Sequence, residues 1–383
     1  MSKLLTPVLK LMAEKQASDL FISSGTPICI KILGVIMPVN SDVLTAEKIQ
    51  RIANELMSEK EQREFEEKWE MNLSLQVPEI GRFRVNIFRQ RGDVALVIRY
   101  LRAQTAGLDA LKLPAILKEL IVEKRGLVLL VGATGSGKST TLAAMIEHRN
   151  ATKGGHILTI EDPVEFVFKH GKCVINQREV GMDTKSYNSA LVSAMREAPD
   201  ILMIGEVRDK ETLQQALLYA QTGHLCLTTL HANNSYHALN RVVNFFPHDA
   251  RSALLSDLSV SLKAVISQRL VKTVDGSLAA AVEVLINSVH IAELIVKGEF
   301  DEIKEAMQKS LSPGSVTFEQ SLFKLYNQGK ITKDEALRNS DSATNLSWLM
   351  NNSEQGGLGK MGDVAKIVAA KDATSFDHFK LDT

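Results

Sequence analysis

The chain has 383 residues, enough for two or three domains with a real core, and its 45% hydrophobic and 23% charged content is ordinary for a soluble globular protein. Lys+Arg (45) and Asp+Glu (45) balance, so no net field recommends nucleic acid, and no nucleic-acid partner is expected. Cys29, Cys173 and Cys226 form no C-x-x-C pair, which excludes a disulfide framework and a four-cysteine zinc site. Met1–Lys15 lacks the apolar core of a signal peptide, and no stretch approaches the ~20 apolar residues of a membrane span; a cytoplasmic location is expected.

In chain order, residues 3–17 place Leu4, Leu5, Val8, Leu11 and Met12 on one helical face. Short strands are predicted at Asp19–Ser23, Ile28–Leu33 and Val35–Val39, punctuated by Gly25-Thr26-Pro27 and Gly34. Thr45 caps a helix to about Ser58, and the charged run Glu59–Glu70 either continues it or forms a second helix. Strands follow at Met71–Val77, Arg82–Phe88 and Val94–Tyr100. In the second, Phe83, Val85 and Ile87 alternate with Arg82, Arg84 and Asn86, which puts two arginines side by side on one sheet face. Either that face is simply solvated, or it presents guanidinium groups to an anion, with Arg99 of the next strand as a third candidate. Residues 1–103 therefore read as an α+β domain and 104–113 as a linker.

Pro114 is read as opening a helix that Gly126 closes. Leu127–Val131 is a buried strand, and Gly132, Ala133, Thr134, Gly135, Ser136, Gly137, Lys138, Ser139 and Thr140 lead from it into a helix reaching His148. Strand, glycine-rich turn and helix are the context that the phosphate-loop pattern G-x-x-x-x-G-K-[ST] requires. Its glycines let backbone N–H groups turn around a phosphate chain, and the helix N-terminus adds orphan donors. Lys138 is expected on the β- and γ-phosphates and Ser139 on Mg²⁺. The pattern predicts binding of a nucleoside triphosphate, with Mg²⁺ as the second cofactor.

The apolar strand His156–Ile160 runs into Glu161, Asp162 and Glu165, three carboxylates at the sheet edge where open α/β sheets bind ligands. After a short strand Cys173–Gln177 and a helix Tyr187–Arg196, the strand Asp200–Ile204 ends in Gly205-Glu206. Glu206 stands where a Walker B acid would hold the Mg²⁺ water shell. Glu211–Thr222 is a helix, and the next strand carries His224 and His231 at its two ends. These are either ordinary core or surface residues or, at the edge of the same sheet, sensors of phosphate or metal. Helices are predicted at 249–268, 288–297, 301–309, 317–327 and 332–338, with one strand near Ala279–Ile286. The span 114–340 reads as one P-loop domain with a helical C-terminal part. Residues 341–383 read as a flexible tail with at most a short helix at Asp363–Lys371.

Five stretches carry a family resemblance: GATGSGKST at 132–140, LTIEDPVEF at 158–166, INQREVG at 175–181, GEVRD at 205–209 and TGHLCLTTLHANN at 222–234. With them the chain resembles the secretion-type ATPases, and among these the PilT/PilU group of type IV pilus retraction motors, over about residues 1–340. The resemblance implies a PAS-like N-terminal domain, a RecA-like ATPase domain and a hexameric ring with ATP and Mg²⁺ held between the domains. It also implies partners at the cytoplasmic face of the inner membrane: a platform protein and a PilT-type retraction ATPase.

Carried over residue by residue, the phosphate-loop lysine falls on Lys138, the Walker B glutamate on Glu206 and the catalytic glutamate on Glu165. The histidine box falls on His224 and His231, and the nucleotide-directed arginines match Arg82, Arg84 and Arg99 by strand context. Ser288–Ile295 keeps the apolar spacing of the group's AIRNLI-like motif but replaces its basic and amide centre by Ala292-Glu293. This makes the chain more similar to PilU than to PilT and implies an accessory motor. The rival readings are a type II secretion or pilus-assembly ATPase, whose four-cysteine subdomain is missing, and a nucleotide-binding regulatory subunit.

Overall fold

The structure, a computed structural model, describes residues 4–32, 34–101, 106–309 and 312–354. It divides into two units: Met1–Thr105 with Val164–Lys169, and Ala106–Pro163 with His170–Thr383. Among the described residues no helix is long and apolar enough to cross a membrane.

The first unit runs α1 (Leu5–Glu14), β1 (Asp19–Ile22), β2 (Pro27–Ile32), β3 (Val35–Val43), α2 (Ala46–Leu56), α3 (Glu59–Lys68), β4 (Glu70–Val77), β5 (Gly81–Gln90) and β6 (Asp93–Leu101). Its strands form one antiparallel sheet in the order β3-β2-β1-β6-β5-β4. The charged run after Ser58 is a separate helix because Ser58 and Glu61 close a reciprocal capping box, so α2 stops and α3 starts there. Leu5, Leu9 and Met12 of α1, Ile49 and Ala53 of α2 and Phe65 of α3 pack on Leu20, Phe83, Val85, Ile87, Leu96 and Ile98 of the sheet. Each such burial is worth about 1.5–3 kcal/mol. The period-2 pattern of β5 is therefore a core-and-surface pattern, and it leaves Arg82 and Arg84 on the open side.

The second unit continues with α4 (Ile116–Leu120), β7 (Gly126–Val131), α5 (Lys138–Thr152), β8 (Gly155–Glu161), β9 (Cys173–Glu179), α6 (Tyr187–Ala194), β10 (Ile201–Ile204), α7 (Lys210–Gln221), β11 (Leu225–Leu230), α8 (Ser235–Asn244), α9 (Arg251–Ser261), β12 (Leu262–Lys272) and β13 (Leu278–Ile286). It closes with α10 (Val289–Lys297), α11 (Asp301–Gln308), α12 (Phe318–Asn327), α13 (Lys333–Asn339) and α14 (Ala343–Glu354). The sheet order is β13-β12-β7-β11-β10-β8-β9, parallel throughout except for β13. Strands β7, β10 and β11 are buried at every position, as expected of a parallel sheet covered on both faces. Parallel pairing brings the C-terminal ends of β7, β8, β10, β11 and β12 to one edge.

The structure departs from the sequence reading in four places. The helix expected over 249–268 ends at Ser261, and Leu262–Lys272 is the strand that pairs with β7. Gly126 does not close a helix but opens β7, at φ 121°, where an added Cβ would lie 2.5 Å from the Lys263 side chain. The helix expected from Pro114 shrinks to Ile116–Leu120. Residues 343–354, expected to be tail, form α14, whose Leu346 and Met350 are fully buried against a cluster that includes Phe318, Leu322, Ile331 and Ala336. The predicted short helix at Asp363–Lys371 lies outside the described residues.

Candidate active site

The site grows out of the parallel edge. β7 delivers Gly132 to it, and the loop to Gly137 turns straight into α5, whose first-turn N–H groups have no helical acceptor and form an anion-binding end. The loop can be this tight only with glycine. A Cβ on Gly132 would lie 2.5 Å from Ser136 Oγ and 2.6 Å from the Gln268 carbonyl oxygen. Gly137 sits at φ 88° with Gln268 Nε2 2.7 Å from where its Cβ would be. Lys138 Nζ donates to the carbonyls of Gly132 (2.8 Å) and Ala133 (3.0 Å), so its ammonium lies across the mouth of the loop. The Ser136 hydroxyl is buried without a hydrogen-bond partner. A glycine-only cradle, an ammonium and an orphaned hydroxyl around one helix N-terminus fit a phosphate chain. Ser139 is half-buried beside Lys138 on the first turn of α5.

Gln268 supports this loop and was not anticipated. It is buried on β12, next to β7, and its Oε1 accepts from Thr141 Oγ1 at 2.7 Å. The signal was available, since Ser267-Gln268-Arg269 is a polar interruption in the apolar run Leu262–Val271, but the helical reading of 249–268 concealed it.

β10 ends two strands away from β7 and hands Gly205 and Glu206 to the same edge. Gly205 is held by Thr229 Oγ1, which donates to its carbonyl at 2.6 Å, and the Val207 N–H donates to the Thr229 carbonyl at 3.0 Å. The Glu206 carboxylate faces two partners: Arg208 Nε at 2.8 Å on Oε2 and His231 Nε2 at 3.1 Å on Oε1. Arg208 also stands 3.6 Å from Asp162, just past the end of β8. The Glu206 pairing raises the Arg208 guanidinium still further. Tyr187 lies over Gly205, where an added Cβ would be 2.9 Å from its hydroxyl; burial pushes its phenol up and the nearby Asp162 carboxylate adds to that. Glu161, at the end of β8, is buried and accepts from Thr159 Oγ1 at 2.6 Å and Gln177 Nε2 at 3.2 Å.

The structure thus gathers Gly132–Thr140, Glu206 and His231 at one edge, and adds Arg208, Asp162, Thr229, Tyr187 and Gln268. It does not gather His224 with them. Leu225 pairs with Gly126, at the start of β7, so His224 stands at the opposite edge of the sheet. There its Nδ1 faces Thr222 Oγ1 and the Tyr219 carbonyl, both at 3.2 Å. The six-residue strand between the histidines spans roughly 20 Å, so the structure does not bring His224, expected to bind nucleotide, to the phosphate loop. Glu165 is exposed and lies in the segment Val164–Lys169, which goes with the first unit. In that unit Arg82 donates to Ser74 Oγ at 2.8 Å, Arg84 stands opposite Arg99 across β5 and β6, and Arg99 pairs with Asp19 at 2.8 Å. Among the described residues no cluster of three or more His, Cys, Asp or Glu side chains forms a metal cage. Mg²⁺ takes one or two protein oxygens and completes its shell with water and phosphate, and the Ser139 hydroxyl and the Glu206 carboxylate are donors of that kind.

A phosphate loop on the central strand, with an acid-bearing strand two places away in a parallel sheet, defines a P-loop nucleoside triphosphatase. A family model described as Type II/IV secretion system protein matches residues 1–320. The type IV pilus ATPase PilU of Pseudomonas aeruginosa is 48% identical over 344 residues, covering 90% of each chain. PilT of the same organism, a type IV pilus retraction ATPase, is 40% identical over 87% of this chain and 96% of its own. A crystal structure of the pilus retraction motor PilT with bound ADP superposes with a TM-score of 0.81 at 40% identity, over 88% of this chain and 97% of that one. The chain belongs to the Type II/IV secretion system family and, within it, to the PilT/PilU group of pilus ATPases.

Proposed function

We propose that this chain is a Mg²⁺-dependent ATPase of type IV pilus retraction, acting as a PilU-type accessory motor beside a PilT-type ring. The observation that carries the reading is the meeting of the phosphate loop, closed tightly at Gly132 and Gly137, with the Glu206–His231–Arg208 cluster at one sheet edge. The 48% identity to PilU supports the finer assignment.

Phosphoryl transfer needs position and charge compensation more than covalent help. Lys138 and the first turn of α5 hold the triphosphate. Mg²⁺, when bound, neutralises phosphate oxygens, and Ser139 and Glu206 are the residues that would hold it, partly through water. His231 senses the state of Glu206 through the contact between their side chains. Glu165 orients or deprotonates the attacking water, and Arg82, Arg84 and Arg99 compensate charge as phosphate departs; these four assignments rest on the family resemblance. Residues 1–103 act as the PAS-like domain and 114–340 as the motor domain. The chain assembles as a hexameric ring at the cytoplasmic face of the inner membrane, where it engages the platform protein of the pilus machine.

Turnover of Mg²⁺-ATP by the purified chain tests the enzymatic half. Hydrolysis that is lost in Glu165→Gln and in Lys138→Ala supports it. Nucleotide binding without turnover would leave the regulatory-subunit reading in its place.

A further inference from the structure

The loop that carries His231 is fastened by residues with no part in phosphate binding. After β11 the chain runs His231-Ala232-Asn233-Asn234 into α8. The Asn233 carbonyl accepts from Arg269 Nη2 at 3.0 Å, and Asn234 Nδ2 donates to Asp341 Oδ2 at 2.8 Å. Arg269 completes the triangle, with Nη2 on Asp341 Oδ1 and Nη1 on the Asn339 carbonyl. Its guanidinium also lies 3.9 Å from the ring centroid of the buried Phe318. The Ser235 N–H donates to the buried Glu283, which also accepts from Ser267 Oγ. Asp341 is only 9% exposed and Arg269 22%, so this ion pair is not a solvated surface contact. Asp341 lies beyond residues 1–320, the span matched by the family model, and stands two residues before the start of α14.

We infer that Asp341 is a positioning residue for hydrolysis: with Arg269 it clamps the 231–234 loop and so holds His231 against Glu206. The inference rests on the ATPase reading above. β12 divides the labour. Gln268 buttresses the phosphate loop through Thr141, while its neighbour Arg269, pointing to the other face of the strand, serves the His231 loop. Nucleotide binding and turnover are thereby supported by different residues. Releasing the clamp loosens the His231–Glu206 contact and leaves the cradle around Lys138 intact. A loose supporting shell of this kind costs rate rather than affinity.

The test is steady-state ATP hydrolysis by the full chain, its Asp341→Ala and Asp341→Asn variants, and Gln268→Ala as the contrasting site. Kd for a fluorescent ADP analogue, sedimentation and thermal melting are measured on each. In Asp341→Ala, kcat is expected to fall about tenfold, with KM and Kd within about twofold and ring assembly unchanged. Asp341→Asn keeps one acceptor oxygen in place of two, so it preserves either the Asn234 bond or the Arg269 contact, and is expected to recover part of the rate. Gln268→Ala shows the opposite split, with a raised KM. Equal kcat in wild type and Asp341→Ala overturns the inference, as does a loss explained by a dissociated ring or by an unfolded chain that Asp341→Asn fails to restore. Absence of turnover in the wild type, with nucleotide still bound, overturns the ATPase reading itself and the clamp's role with it.

Discussion

At the residue scale the phosphate loop is the most exacting part of the molecule, because Gly132, Gly137 and Lys138 each admit one residue type. Gly137 combines φ 88° with a neighbour 2.7 Å from the position of an added Cβ. Gly137→Ala should therefore cost about 1–3 kcal/mol from the backbone alone, read as a lower melting temperature and weaker nucleotide binding. Lys138→Ala should abolish measurable turnover. Glu206→Gln keeps the shape of the Arg208 and His231 contacts but loses the charge, and kcat should fall by about 10²-fold or more with ADP affinity little changed. Glu283 gives a prediction in pH. Burial raises its carboxyl above the ordinary glutamate value, against the opposing bonds from Ser235 and Ser267. The folded state then holds a proton that the unfolded state releases first, so this residue's contribution to stability falls as pH rises from the ordinary glutamate range towards its raised folded value. Glu283→Gln keeps the acceptor oxygen. It should equal the wild type in acid and match or exceed it in melting temperature at neutral pH.

At the element scale, what could be read from the sequence depended on punctuation. β7, the phosphate loop and α5 were legible because three glycines and a lysine at fixed spacing have one structural explanation. β5 was legible because its alternation matches a half-buried sheet. The boundary between α9 and β12 was not, because Ser261 and Leu262 offer neither glycine nor proline and Leu254, Leu258 and Leu262 continue a helical spacing. Only pairing with β7 decides it, and local spacing does not report a partner more than a hundred residues away. α14 escaped notice because its large apolar residues crowd into Leu346–Met350 between polar stretches, too short a run to show a helical period, and the partners of Leu346 and Met350 lie on α12 and α13. His224 was misplaced for a simpler reason. The two ends of a strand look alike in sequence, but only the C-terminal end of a parallel strand reaches the site. Leu346→Ala, with its side chain fully buried, should cost about 2–5 kcal/mol in thermal or urea unfolding. Through Asp341 nearby, it should also depress turnover.

At the scale of the whole molecule the candidate machinery is divided between two units. The phosphate loop, Glu206 and His231 belong to the second; Arg82, Arg84, Arg99 and Glu165 go with the first. If the arginines serve the nucleotide, Arg84→Ala should lower kcat several-fold while shifting stability by no more than about 0.5 kcal/mol, since Arg84 lies on an open sheet face. Arg99→Ala is a less clean variant because it strips the buried Asp19 of its ion-pair partner and leaves it the Ser18 hydroxyl, so its melting temperature must be read beside its rate. Unchanged turnover in Arg84→Ala and Arg99→Ala alike would confine the chemistry to the second unit and remove the coupling of hydrolysis to motion between domains. The Ala292-Glu293 centre of α10 bears on the last question, which is whether the chain pulls alone.

The decisive measurement is pilus retraction in cells that lack their PilT-type motor, with this chain supplied alone and then beside a hydrolysis-dead PilT-type partner. An accessory ATPase gives no retraction alone and restores it beside the dead partner, and the Lys138→Ala form of this chain restores nothing. Retraction by this chain alone would contradict the accessory role. Failure in both backgrounds would contradict the motor function itself.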